Sequence, residues 1–199
     1  MDIEYFSHAV LADVHLAQAL HGKGRIVQVL PSAGSVAEAQ EAAALQCVLK
    51  FYPDLQLLDA QHGNFNATDS KKVAQAWVQR FPHIDGIASM WAEQSLGVVA
   101  AFEEAARLQE VTFAPANELS GWIKFLRAHP EKNTGVITAP VSLGAMAVDQ
   151  MTKILEGQPV TRGIFVGNQY IPPQSALSLA DFSKPDTYWP NKMPAQYQP

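Results

Sequence analysis

Residues 71–105, KKVAQAWVQRFPHIDGIASMWAEQSLGVVAAFEEA, carry the pattern that decides the fold. Val73, Trp77 and Phe81 recur four residues apart, the spacing of one helix face, and Pro82 stops that helix. Ile84 to Met90 then reads as a strand, and Glu93 to Leu108 as a second helix with Leu96, Val99 and Ala100 facing inward. Helix, strand and helix joined by short turns form the repeating unit of a parallel sheet covered by helices.

The same alternation extends in both directions. Upstream, Ile3 to Phe6 suggests a short strand, and Ala9 to Leu20 a helix with Ala12, Leu16 and Leu20 on one face. Gly22 and Gly24 end it, and Arg25 to Leu30 is a strand. Ser32-Ala33-Gly34-Ser35 supplies turn and capping residues for a helix running to about Phe51. Leu55 to Asp59 is the next strand, Asn64 to Asp69 a polar loop, and Ser70 a candidate cap. Downstream, Val111 to Phe113 and Gly135 to Thr138 read as strands, with a short helix from Gly121 to Ala128 between them. Leu143, Ala147, Val148, Met151, Ile154 and Leu155 form one stripe of a helix that Gly157 ends. Arg162 to Tyr170 suggests a last strand. Pro172, Pro173, Pro185, Pro190, Pro194 and Pro199 then argue for an irregular tail, which Phe182, Tyr188, Trp189 and Tyr197 equip to dock on the rest.

The expected fold class is therefore α/β, a doubly wound parallel sheet flanked by helices. Residues 1–138 are expected to form one lobe, 139–170 a crossover helix and return strand, and 171–199 a proline-rich tail. Ligands on such sheets bind beyond the carboxyl ends of the strands. That directs attention to the loops after Leu30, Asp59, Met90, Phe113 and Thr138.

Composition narrows the function. Of 199 residues 48% are apolar, enough for a sizeable core, and the net charge is −5. Lys71-Lys72 is the only adjacent basic pair, so a nucleic-acid footprint is missing. Cys47 is the single cysteine, which excludes an internal disulfide, and it is expected as a buried inert thiol. No apolar run reaches the roughly 18 residues of a membrane span. The start, Met1-Asp2-Ile3-Glu4, lacks the basic and apolar character of a signal peptide, so a soluble chain without its own export signal is expected. His8, His15, His21, His62, His83 and His129 show no HxH or HxxxH pairing, so no metal site and no cofactor are expected. Gly34 sits at a strand-to-helix turn where backbone N–H groups can meet an anion. Without GxGxxG or a Walker lysine, a helix cap is the plainer reading. Glu103-Glu104 reads as a solvated face, and no catalytic constellation is visible, so no enzyme activity is expected.

Four segments together resemble type I periplasmic sugar-binding proteins of the ribose-binding kind. They are GKGRIVQVLPSAGS from Gly22, FYPDLQLLDAQHGNF from Phe51, the 71–105 stretch, and AVDQMTKILEGQPV from Ala147. The resemblance implies the carboxyl-terminal lobe of a two-lobed binding protein without its amino-terminal lobe. It also implies a solute-binding component of an ABC-type importer, periplasmic, with a small polar ligand such as a monosaccharide and a membrane permease as partners. The alternative is the effector-binding core of a sugar-responsive transcription regulator lacking its DNA-binding domain.

By that resemblance, Phe65 falls where an aromatic stacks on a sugar ring, against the simpler role of packing on the domain. Glu41, or the adjacent Gln40, stands where an arginine is usual, and Glu41 is either a ligand contact or a solvated helix-face residue. Trp91 replaces a usual Asn-Asp pair, as a second stacking platform or a cleft filler. Ala114 stands where an aspartate is usual, leaving Asn117 and Glu118 as the nearest polar candidates, against the simpler role of solvated loop residues. Thr138, at the last crossing between lobes near a usual glutamine or asparagine, is either a ligand contact or a plain strand-end threonine. In the family the helix bearing Leu143, Val148, Met151, Ile154 and Leu155 packs on the other lobe, so here it is expected to dimerise, to swap, or to fold back on its own sheet.

Overall fold

The computed structural model describes residues 5–139, 143–161, 163 and 167–190. Its centre is strand β1 (Lys23–Leu30), flanked in parallel by β2 (Asp54–His62) and β3 (Gly86–Ala88), with β4 (Thr112–Phe113) beyond β3. β1 reads IVQVL from Ile26 to Leu30, a nearly continuous apolar run, because both faces of a central parallel strand are covered. Ile26 points into a core with helices α1 (Tyr5–Ala19) and α2 (Val36–Leu49). Val27 and Val29 point into the opposite core with α3 (Ala67–Arg80), α4 (Ala92–Glu104) and α5 (Ser120–Ala128). The sheet is thus doubly wound, as its sequence pattern implies.

Past β4 the chain enters a small second sheet. β5 (Ala116–Asn117) pairs in parallel with β6 (Val136–Ile137), which pairs antiparallel with β7 (Tyr170–Ile171). β5 was not legible in the sequence, since two residues carry no periodicity.

Several boundaries differ from expectation, each for a local reason. Tyr5 and Phe6 begin helix α1 rather than a strand, and the Phe6 amide donates to Gln40 Oε1 on α2. Ile3 lies outside the described residues. The cap of α3 is Asn66, not Ser70: Asn66 is extended and its Oδ1 accepts from the Asp69 amide at 2.9 Å. Ser70 is instead a buried first-turn residue donating back to the Asn66 carbonyl at 2.8 Å. Of the expected last strand, Arg162 and residues 164–166 lie outside the described residues, and Tyr170–Ile171 form β7. Cys47 is half-buried rather than buried, and is a free thiol. The tail is not wholly irregular, since Pro173–Leu177 form α7.

The tail does dock. Helix α5 has no side-chain cap at Leu119, and its first free N–H groups are taken by tail carbonyls. Ser120 donates to Tyr188 O and Gly121 to Asp186 O, both at 2.8 Å, while Lys124 pairs with Asp186. Trp189 packs on the α3–α5 core, Phe182 stays 60% exposed, and Tyr197 lies outside the described residues.

Helix α6 (Leu143–Leu155) forms over the expected span and buries none of its residues. Val148, Met151, Ile154 and Leu155 are 57%, 61%, 57% and 85% exposed, so the stripe does not fold back on its own sheet.

Candidate functional site

The carboxyl ends of β1, β2 and β3 lie at one end of the sheet, and the loops leaving them build a shared cluster. After β1, Ser35 caps α2 by accepting from the Glu38 amide at 3.1 Å. Glu38 reaches back to the Gly34 amide at 2.8 Å and to His62 Nε2 at 2.9 Å. These two hydrogen bonds hold the Glu38 carboxyl below its ordinary range, His62 contributing more than Gly34. The Gly34 amide is therefore occupied by the chain's own carboxylate, and the turn is a helix cap.

After β2, Gly63-Asn64-Phe65-Asn66 turns sharply into α3. Asn64 and Phe65 both have positive φ, 52° and 58°. Asparagine tolerates that region, but phenylalanine there stores backbone strain of about 1 kcal/mol. Hydrogen bonds from Gly63 N to Leu30 O at 2.7 Å and from Asn64 Nδ2 to Asp69 Oδ2 at 3.1 Å hold the turn. The outcome is a Phe65 ring left 38% exposed at the sheet's end rather than packed away.

After β3 comes Trp91. Phe65 meets it edge-on, with ring centroids 4.8 Å apart and planes at 85°. Tyr5, from the start of α1, approaches the same indole at 6.0 Å and 46°. Three strand-end and helix-start segments thus present one aromatic surface. The indole Nε1–H donates to Glu41 Oε1 at 2.8 Å.

Glu41 is not a solvated helix-face residue: it is 2% exposed, on the sheet-facing side of α2. Its backbone carbonyl accepts from Gln28 Nε2 of β1 at 3.2 Å. Beneath it Asp13 of α1, Gln28 and Ser89 line a cavity of about 10 Å³, the room of one water. Asp13 is 5% exposed, and its Oδ2 has no hydrogen-bond partner. Burial pushes the Asp13 carboxyl well above its ordinary value. Burial does the same to Glu41, opposed by the Trp91 hydrogen bond and reinforced by the Asp13 charge. Burial also raises Glu93, in the first turn of α4 beside Trp91.

The structure therefore brings Phe65, Trp91 and Glu41 into direct succession. The remaining candidates are engaged elsewhere along the same edge. Asn117 lies in β5, fully buried, and its Oδ1 accepts from the Ala92 amide at 2.8 Å, filling the cap that Trp91 leaves vacant on α4. Glu118, 1% exposed, accepts from the Ala139 amide at 2.7 Å. Thr138 exchanges two bonds with Gln169, its amide to the Gln169 carbonyl and its Oγ1 from the Gln169 amide.

Tyr5 and Asp13 were missed as members of the site. Tyr5 was hidden by the strand expected over its segment. Asp13 carried a signal: it interrupts the Ala9–Ala17 stripe at helical spacing, an acid on a face whose other members are buried. Among the described residues, no group of three or more His, Cys, Asp or Glu side chains is placed to hold a metal ion.

A family model described as periplasmic binding protein domain matches residues 12–159. A xylitol-binding protein of Mycolicibacterium smegmatis is 30% identical over 93 residues, covering 46% of this chain and 27% of that protein. An ABC transporter solute-binding protein from Thermobispora bispora superposes with a TM-score of 0.83 at 17% identity, covering 94% of this chain and 57% of that one. A periplasmic solute-binding protein from Actinobacillus succinogenes with bound D-allose gives 0.78 at 19% identity, covering 88% and 61%. One from Bacillus halodurans with bound myo-inositol gives 0.76 at 16% identity, covering 88% and 61%. At these identities the structural likeness establishes the fold. The chain spans about a quarter of the curated relative and roughly three-fifths of the solved structures.

Proposed function

The chain belongs to the periplasmic binding protein domain family, and from that premise we propose that it is a ligand-binding lobe of a solute importer. The family is of a solute-binding type. In this reading the lobe catalyses no reaction, works in the periplasm and delivers its ligand to the membrane permease of an ABC transporter. The ligand is a sugar or sugar alcohol. The names of the relatives support that class: xylitol, D-allose and myo-inositol all present hydroxyl groups around a C–H framework.

The observation that carries the reading is the Tyr5–Trp91–Phe65 surface at the carboxyl ends of the strands. Aromatic faces pack against the C–H face of a polyol, and neighbouring polar groups take its hydroxyls. The phenylalanine that completes this surface is held out in a strained turn, as functional loops often are. Binding is association and closure, with no bond made or broken.

Titration calorimetry of the 199-residue chain with xylitol, D-allose and myo-inositol tests the reading. Saturable binding that weakens in Trp91→Ala supports it. Binding that ignores Trp91 and Phe65 refutes the site, and absence of binding to all three refutes the ligand class.

The exposed stripe of α6 is proposed in addition to join two copies of this chain. Val148, Met151, Ile154 and Leu155 form one apolar surface, and polar side chains of the same helix border it.

A further inference from the structure

We propose that Glu41 is the positioning residue of the aromatic platform: its buried carboxyl fixes the orientation of the Trp91 indole against which the ligand packs. The inference rests on the sugar-binding reading above and assigns Glu41 a role different from direct ligand contact.

Three observations carry it. First, the indole Nε1–H is the single polar handle of Trp91, and it is given to Glu41 Oε1 at 2.8 Å. Its ring contacts with Phe65 and Tyr5, and its packing on the α1–α2 core, are apolar and set no hydrogen-bond direction. Ser89 Oγ donates to the Trp91 carbonyl at 3.4 Å, which restrains the backbone and leaves the ring free.

Second, Glu41 is anchored. It stands on α2, whose Ala44, Leu45 and Val48 are 0%, 1% and 3% exposed, and its own carbonyl is bound by Gln28 of the central strand. The neighbouring Gln40 accepts the Phe6 amide, so α2 also fixes the start of α1, from which Tyr5 reaches the indole. One helix turn therefore sets two of the three rings relative to each other.

Third, a carboxyl is a poor choice for stability at this place. It is buried beside Asp13, whose Oδ2 is unpartnered, and no Lys or Arg is paired with either among the described ion pairs. An apolar side chain of similar volume in such a site is commonly neutral or stabilising. The carboxyl's contribution thus lies in the group it holds.

The test separates position from stability. Glu41→Leu fills the volume without an acceptor, and Glu41→Gln keeps an acceptor of the same length. The Trp91 indole N–H resonance, assigned by its loss in Trp91→Phe, reads the bond directly. The expected result is a moved, faster-exchanging resonance in Glu41→Leu and a near-native one in Glu41→Gln. Affinity for whichever of xylitol, D-allose and myo-inositol the native chain binds falls about tenfold or more in Glu41→Leu, recovers to within about threefold in Glu41→Gln, and does so with the melting temperature of Glu41→Leu undiminished.

An unmoved resonance in Glu41→Leu overturns the proposal. So does unchanged affinity in Glu41→Leu when Trp91→Ala abolishes binding. If none of the three probes binds the native chain, the sugar-binding reading falls, and the resonance alone decides whether Glu41 positions the ring.

Discussion

Phe65 stands edge-on to Trp91 with ring centroids 4.8 Å apart and planes at 85°, although the two residues leave different strands. The contact joins the loops after β2 and β3 into one surface. Phe65 reaches it only because its backbone adopts a φ of 58°. Removing either ring should weaken ligand binding. Trp91→Ala and Phe65→Ala are each expected to lower affinity for the bound polyol about tenfold or more, roughly 1.4 kcal/mol. Phe65→Gly, which relaxes the backbone, should melt no lower than Phe65→Ala while losing the same affinity. Calorimetric titration beside thermal unfolding checks both.

Asp13 and Glu41 give the protein a definite pH dependence. Burial raises both carboxyls above their ordinary values. Below about pH 4 they are protonated in both folded and unfolded chains, and their contribution to stability is fully present. As pH rises through the ordinary carboxylate range, the unfolded chain releases protons that the folded one keeps, so stability is lost until the folded groups titrate. Asp13→Asn should therefore gain relative to native as pH rises above about 4, by up to about 1.4 kcal/mol per pH unit. Denaturant unfolding at pH 4, 5.5 and 7 measures it, and a constant difference across that range would refute the assignment.

His8 acts in the opposite sense. Burial lowers its imidazole from 6.5 to about 4, and its Nε2 has no hydrogen-bond partner. Between those values the unfolded chain takes up a proton that the folded one refuses, so stability is lost as pH falls below about 6.5. His8→Gln should gain relative to native on acidification over that interval, in the same unfolding series.

Gly97 of α4 sits where a Cβ would run into the Ala67 carbonyl oxygen of α3 and lie 2.9 Å from the carbonyl carbon behind it. Glycine to alanine inside a helix ordinarily stabilises by up to about 1 kcal/mol. Here the α3–α4 contact forbids the extra atom, and the rigid neighbour is backbone. Gly97→Ala should destabilise by about 1–3 kcal/mol. A stabilised variant would show that the two helices are not so closely apposed.

The α6 stripe predicts behaviour in solution. Ile154→Lys and Leu155→Lys change residues 57% and 85% exposed, so each should move the folding free energy by no more than about 0.5 kcal/mol. Sedimentation at rising concentration should show self-association of the native chain and its loss in the double variant. A native chain that stays monomeric throughout removes the stripe as a contact between copies.

The layout of the lobe was legible because its signals are periodic. Val73 and Trp77, the β1 run from Ile26, and the α6 stripe each follow the pattern of their element, and the solved structures on which the chain superposes share the fold they imply. Residues whose roles depend on single contacts were harder to read. Glu41 reads as a polar helix position, because nothing in its neighbours announces an indole 50 residues away. Ser70 and Asn66 are both capping types, and the extended backbone at Asn66 decides between them. Asn117 and Glu118 were marked as polar groups near a strand end, yet that same position lets them tie α4 and Ala139 to the small sheet. Phe65 and Trp91 were singled out by the family resemblance, in loops that a doubly wound sheet places at the carboxyl ends of its strands.

The central claim is that the Phe65–Trp91 surface receives a polyol. Titration calorimetry of the native chain and of Trp91→Ala with xylitol, D-allose and myo-inositol tests it most directly. The account predicts saturable heat for at least one of them in the native chain and an affinity at least tenfold weaker in the variant, with both proteins folded at the temperature of the titration. Equal affinity in the two proteins, or no heat from any of the three in the native chain, would contradict it.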